Sequence, residues 1–99
     1  MELKINNKQG TYEVIGNFTG KNTLKVKEQF NYLLDHYEEV IMSLRKVTFI
    51  DKNAAQVLQE IYDKAIRRSK ILFVLGKDNQ QVANMLRKTQ TSHIFRNDY

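Results

Sequence analysis

Hydrophobic and polar positions along this chain change their spacing several times, and each change marks an element. Leu3 and Ile5 suggest a brief first strand that turns at Lys8-Gln9-Gly10. Tyr12, Val14, Gly16 and Phe18 then alternate with Glu13, Ile15 and Asn17, the two-residue period of a strand. Thr19-Gly20-Lys21-Asn22 breaks that strand and offers a helix cap. From Thr23 to about Tyr37 the period becomes helical, with Val26, Phe30, Leu33, Leu34 and Tyr37 on one face.

Val40-Ile41-Met42-Ser43-Leu44 and Val47-Thr48-Phe49-Ile50 follow as nearly continuous apolar runs, the pattern of a central strand covered on its faces. A second helix comes next. Ala54 or Ala55, Leu58, Ile61, Tyr62 and Ala65 form its inner face, and Arg67-Arg68-Ser69 end it. Ile71 to Leu75 reads as a further buried strand closed by Gly76. Asp78 with Gln81 three residues on reads as the capping box of a third helix. Val82, Met85, Leu86 and Thr89 supply that helix's apolar stripe, and Ser92-His93-Ile94-Phe95 is expected to fold back on the core. The order ββαβαβα predicts an α/β fold, a small mixed and mostly parallel sheet of about four or five strands with helices packed on it. Parallel order should bring the strand ends near Phe18, Ile50 and Leu75 to one edge. The loops 19–22, 51–54 and 76–78 would then form one surface, where sites in open α/β sheets gather.

The chain has 99 residues, read as a single domain over 1–99, with room for one core and little surplus for a deep active site. It has no cysteine, which removes disulfides, thiolate nucleophiles and sulfur-ligated zinc, and suits a reducing cytosol. No apolar run follows the charges of residues 1–7, so no secretory signal is expected, and no apolar stretch is long enough to span a bilayer. A cytoplasmic protein without membrane insertion is the expectation. The net charge of +5 sits mostly in the second half, where Arg67, Arg68 and Lys70 cluster. A cluster of that kind could suit nucleic acid or anionic lipid, but the preferred reading is a solvated helix C-terminus, where the dipole favours cations.

Catalytic and cofactor motifs are missing. Gly76-Lys77 fails as a phosphate loop, because Ile71 stands where the first glycine belongs and Asp78 where Ser or Thr does. His36 and His93 have no nucleophile at a motif-like spacing. Asp35, His36, Glu38 and Glu39 fall in one short run at a helix end rather than in a metal-site motif such as His-Glu-x-x-His, so no metal and no cofactor is expected. The aromatics Tyr12, Phe18, Phe30, Tyr37, Phe49, Tyr62 and Phe73 sit mostly on apolar phases and are assigned to the core. What remains is the strand-to-helix junction Asp51-Lys52-Asn53-Ala54. Asp51 suits a helix N-cap, whereas Lys52 places a cation in the first turn, against the macrodipole.

The run from Val40 through Phe49-Ile50-Asp51-Lys52-Asn53-Ala54 to Leu58 resembles the central segment of STAS domains, the anti-sigma-factor antagonist family. There a hydrophobic strand enters Phe-Ile-Asp-Ser-Ser-Gly or Ala and then a Leu-rich helix. Gly16-Asn17-Phe18-Thr19 is similar to the family's turn before its first helix, and Lys70 to Gly76 to its next strand. Val82 to Phe95 is similar to its closing helix, so the resemblance covers nearly the whole chain. It implies a non-catalytic regulatory module that binds a partner protein and, in partner switching, is released by phosphorylation of the serine after the aspartate. Asp51 falls at that aspartate and Lys52 at the phosphoacceptor serine, with Asn53 and Ala54 at the following small positions. Lys52 cannot be phosphorylated as a serine is, so a member without that switch is expected. Thr19 and Thr23 are hydroxyls expected near the same edge, and weak substitutes for that serine.

The expected docking surface comprises Thr19, Gly20 and Asn22, the junction Asp51, Lys52, Asn53 and Ala54, and the outer face of the second helix at Gln56, Gln59, Glu60 and Asp63. An anti-sigma factor of the serine-kinase type is the leading partner. The alternative within the family is the ATPase subunit of an ABC-type lipid transport system. From another class comes weak nucleic-acid binding through Arg67, Arg68, Lys70, Arg87 and Lys88.

Overall fold

β1 (Leu3–Lys8) and β2 (Thr11–Phe18) form an antiparallel hairpin in register from Leu3 opposite Gly16 to Lys8 opposite Thr11. The loop has only Gln9 and Gly10, both at positive φ, which matches the twist of the flanking strands, and the Asn7 side chain accepts from the Gly10 N–H at 3.0 Å. This is a computed structural model, and it describes residues 2–95. After the hairpin come α1 (Asn22–His36), β3 (Glu39–Ser43), β4 (Val47–Ile50), α2 (Lys52–Arg67), β5 (Ile71–Leu75), α3 (Gln80–Lys88) and a short 3-10 turn (Ser92–Phe95).

The sheet has five strands in the order β1-β2-β3-β5, with β4 also paired to β2. β3 lies parallel to the first half of β2 and β4 parallel to its second half. The two are one strand line interrupted at residues 44–46, which reconciles them with the predicted order ββαβαβα. β5 runs parallel to β3 on its far side, from Ile71 beside Glu39 to Leu75 beside Ser43. The fold is therefore mixed α/β, as the chain's periodicities predict.

One strand phase faces the helices. Leu3, Val14, Phe18, Val40, Met42, Leu72 and Val74 join Val26, Phe30, Leu33 and Leu34 of α1 in a single buried cluster. Ala54, Ala55, Leu58, Ile61 and Ala65 of α2 and Val82 and Leu86 of α3 complete it. Ile94 and Phe95 are buried as well, so the final turn packs back as its sequence suggests. The other strand phase, with Ile15, Ile41 and Phe73 only half-buried, forms the outer face of the sheet.

Four local expectations need correction. Tyr37 is not on the buried stripe of α1; it is the C-cap residue and is exposed. The N-cap of α1 is Lys21 without a side-chain bond, because the Asn22 amide turns back to the Asn17 carbonyl at 2.9 Å. α3 is capped by Asn79, whose side chain accepts from the Val82 N–H, while Asp78 pairs with Arg45. Phe49, finally, is 50 % exposed. The pairing of β4 with β2 slips between Gly16 and Asn17, from Val47 to Phe49, so that Thr48 is an extra unpaired residue. A one-residue bulge exchanges the two faces of everything beyond it. It delivers Ile50 to the inner face beside Phe18 and turns Phe49 out beside Asn17.

Gly16 sits at that bulge for a steric reason. Its φ is +100°, and a Cβ there would collide with the Glu2 carbonyl oxygen. Its N–H donates to the Lys46 carbonyl at 3.1 Å and so fixes the interruption between β3 and β4.

Candidate functional site

Asp51 holds the end of β4, the start of α2 and the 19–22 loop together. It has an extended backbone, and its Oδ1 accepts the Ala54 N–H at 3.0 Å, the bond of a helix N-cap. Its Oδ2 accepts the Gly20 N–H at 2.9 Å, across 31 positions of sequence. One carboxylate thus satisfies a free donor of the helix and clamps the neighbouring loop, so two of the expected loops do form one surface. Within the 19–22 loop, Thr19 Oγ1 donates to Asn17 Oδ1 at 2.6 Å and Thr23 Oγ1 to the Gly20 carbonyl at 2.8 Å. Thr23 is buried.

Lys52 and Asn53 open α2 and are exposed, and neither has an ion-pair or hydrogen-bond partner among the described residues. The first turn of α2 carries no acid. Ala54 is fully buried, so it contributes packing and its N–H rather than surface. Along α2, Gln56, Glu60 and Asp63 are exposed. Gln59 donates to Asp63 at 2.8 Å, and Glu60 pairs with Lys27 of α1 at 3.0 Å. Both are solvent-facing contacts of little energetic weight, which a partner can displace.

The third loop lies elsewhere. Leu75 ends β5 level with Ser43, which is itself level with Glu13 of β2, five residues short of Phe18. At about 3.3 Å per residue that is roughly 16 Å below the other two loops. Gly76 instead packs on the interruption between β3 and β4, where a Cβ would come within 3.1 Å of Leu44. Asn79 then closes the same gap. Its Nδ2 donates to the carbonyls of Leu44 at 3.1 Å and Val47 at 2.9 Å, and α3 takes the place beside β4 that β5 has vacated.

A match to the STAS domain family model spans residues 1–98. The chain belongs to the STAS domain family. Among curated proteins, none matches the chain. STAS domains mediate protein–protein interactions and are generally non-catalytic.

The residues set aside for other chemistry are occupied structurally. His36 Nδ1 lies 2.8 Å from the Tyr32 carbonyl and its ring stacks on Tyr32, and His93 meets Tyr62 edge-on. No group of three potential metal ligands comes together among the described residues. In the basic cluster, Arg68 pairs with Asp35 at 3.4 Å and Lys70 with Glu38 at 3.1 Å. Lys64 also reaches Asp35 at 2.9 Å, and this hydrogen bond, with the charges of Lys64 and Arg68, outweighs desolvation and holds the Asp35 carboxyl below the usual aspartate range. Among the described residues no helix is long and apolar enough to cross a membrane.

The sequence gives no warning of Asn79, of the bulge, or of exposed Phe49. An asparagine between charged and amide residues has no hydrophobic signature, and a bulge is a property of pairing, not of one strand's pattern.

Proposed function

We propose that this STAS domain is a non-catalytic regulatory module of the anti-sigma-factor-antagonist type, working in the cytoplasm. It docks a partner protein through Asp51, Lys52 and Asn53, the outer face of α2, and the loop carrying Thr19, Gly20 and Asn22. The observation that supports this reading is the double acceptance of the Asp51 carboxylate, which ties the 19–22 loop to the start of α2 beside Lys52. Rigid loops bind at lower entropic cost than loops that must be ordered by the partner. Serine phosphorylation does not switch the complex, because the position that would carry phosphate is a lysine with a fixed charge.

The partner is an anti-sigma factor of the serine-kinase type. The test uses the purified kinase domain encoded nearest the gene, with binding measured by calorimetry. A stoichiometric complex is expected, unchanged by ATP and weakened about tenfold or more by Lys52→Glu, since reversing one interfacial charge costs a kcal/mol or more. No binding to any such kinase, with a stable complex to an ABC ATPase subunit instead, would move the module to lipid transport. Nucleic-acid binding is disfavoured by the acids that already pair with Arg68 and Lys70.

A further inference from the structure

α1 and α2 lie side by side and parallel, in one constant register. Lys27 meets Glu60 at 3.0 Å, Lys64 Nζ donates to the Asn31 carbonyl at 3.2 Å and Arg68 meets Asp35 at 3.4 Å, each pair 33 positions apart. Carried toward the N-termini, that register sets Leu24 level with Gln56 and Val57 of α2, just beyond the bond that ties Gly20 to Asp51. Leu24 is 59 % exposed, more than any other large apolar side chain among the described residues. A lone leucine on a surface is ordinary. This one stands at the open end of the seam between the two helices, where Lys52, Asn53 and Gln56 are the exposed residues of α2.

The charges around it are one-sided. Residues 17–24 and 48–57 hold two cations, Lys21 and Lys52, and a single acid, Asp51. Asp51 turns both oxygens to backbone N–H groups, those of Ala54 and Gly20. Lys21 and Lys52 are exposed, and neither has an ion-pair or hydrogen-bond partner among the described residues. Their neighbours on α1 are committed, Lys25 to the Leu3 carbonyl and Lys27 to Glu60. The two unpaired ammonium groups flank the clamp, since Lys21 follows Gly20 and Lys52 follows Asp51. An exposed apolar side chain beside two such cations is complementary to an apolar side chain flanked by carboxylates. An anionic bilayer would also meet cations and a leucine here. It would meet exposed Glu28, one turn below Leu24, and exposed Glu60 and Asp63 as well, and these repel a uniformly negative surface. A protein segment places its charges one by one and avoids them.

We infer that the docking surface extends onto α1 and takes an acidic segment of the partner, with an apolar side chain seated on Leu24 and carboxylates on Lys21 and Lys52. The inference rests on the docking reading above. It adds the side chain that anchors the partner and the charge the partner must carry.

The test measures the same kinase domain against the full chain by calorimetry at low and high salt. Leu24→Ala and Lys21→Glu should each weaken the complex about tenfold or more, the scale of an interface anchor. Ile66→Ala, equally exposed at the far end of α2, should leave the affinity unchanged. Wild-type affinity should fall as salt rises, and that of the Lys21→Ala, Lys52→Ala double variant should fall much less. Leu24 and Lys21 are exposed, so their variants report on binding rather than folding. Wild-type affinity in Leu24→Ala, or a complex indifferent to salt, overturns the inference, and where Lys52→Glu still weakens that complex the docking reading survives it. The absence of any complex removes both. A dimer of the chain alone that Leu24→Ala dissociates, or binding to phosphatidylglycerol vesicles that Leu24→Ala abolishes, also overturns it by giving the seam another occupant.

Discussion

At the residue scale, Asp51 does two jobs with one carboxylate, and they can be separated. Asp51→Ala removes both acceptors and should cost about 1–2 kcal/mol, the loss of an N-cap plus a partly solvated bond to Gly20. Asp51→Asn keeps one oxygen for the Ala54 N–H but turns an NH₂ toward the Gly20 N–H, so it should fall between wild type and Asp51→Ala. Urea unfolding checks the order through its midpoints, provided the slopes stay equal. Equal midpoints for the Asn and Ala variants would mean that the helix cap contributes nothing and only the clamp on Gly20 matters. The capping role was legible in the sequence, because an aspartate between an apolar strand and an apolar helix has few other uses. The clamp was not, since nothing in the chain's spacing brings Gly20 to residue 51. Asn79 shows the same limit from the other side. Asp78 has the better sequence credentials as a cap, with Gln81 at the right interval. Asn79 wins because its amide also satisfies the carbonyls of Leu44 and Val47, which a carboxylate cannot do.

At the scale of elements, the pairing of β4 with β2 decides what the outer surface looks like. Element order and most of the inner faces followed from periodicity, because each strand or helix reports its own buried phase. The interruption at residues 44–46 and the bulge at Thr48 are properties of pairs, and they displaced Phe49 from the core to the surface. The displacement has a measurable consequence. Phe30 is fully buried, and Phe30→Ala should cost about 3–5 kcal/mol. Phe49→Ala should cost about 1 kcal/mol or less, since half of that ring is already in water. Thermal unfolding of the two variants provides the comparison. Comparable losses would put Phe49 back in the core and remove the bulge. If the small loss holds, the same ring offers apolar area beside Asn17, close to the proposed docking surface, for a partner to cover.

At the scale of the whole molecule, two ion-paired carboxylates add polar ties between elements to those the hydrophobic core makes. Asp35 connects the end of α1 to Lys64 of α2 and to Arg68 at its C-cap, and Glu13 connects the hairpin to Lys46 in the interruption of β3 and β4. Burial pushes the Glu13 carboxyl up, but hydrogen bonds from Lys46 and Asn6 and the charges of Lys46 and Lys8 more than offset this, and it titrates below the usual glutamate range. Both acids therefore have lower pKa values folded than unfolded. A group of this kind binds its proton more readily in the unfolded chain, so its stabilisation is complete above the unfolded value and is lost as pH falls through the folded one. The fold should accordingly hold its midpoint from neutrality down to the ordinary carboxylate range and then lose it on further acidification. Glu13→Gln and Asp35→Asn, which cannot titrate, should each flatten that decline. The two sites share no partner, so the double variant should flatten it by about the sum of the two. Melting temperatures across the acid range measure this directly. A decline as steep in the double variant as in wild type would assign the acid sensitivity to other carboxylates and leave these two pairs as surface contacts of no consequence.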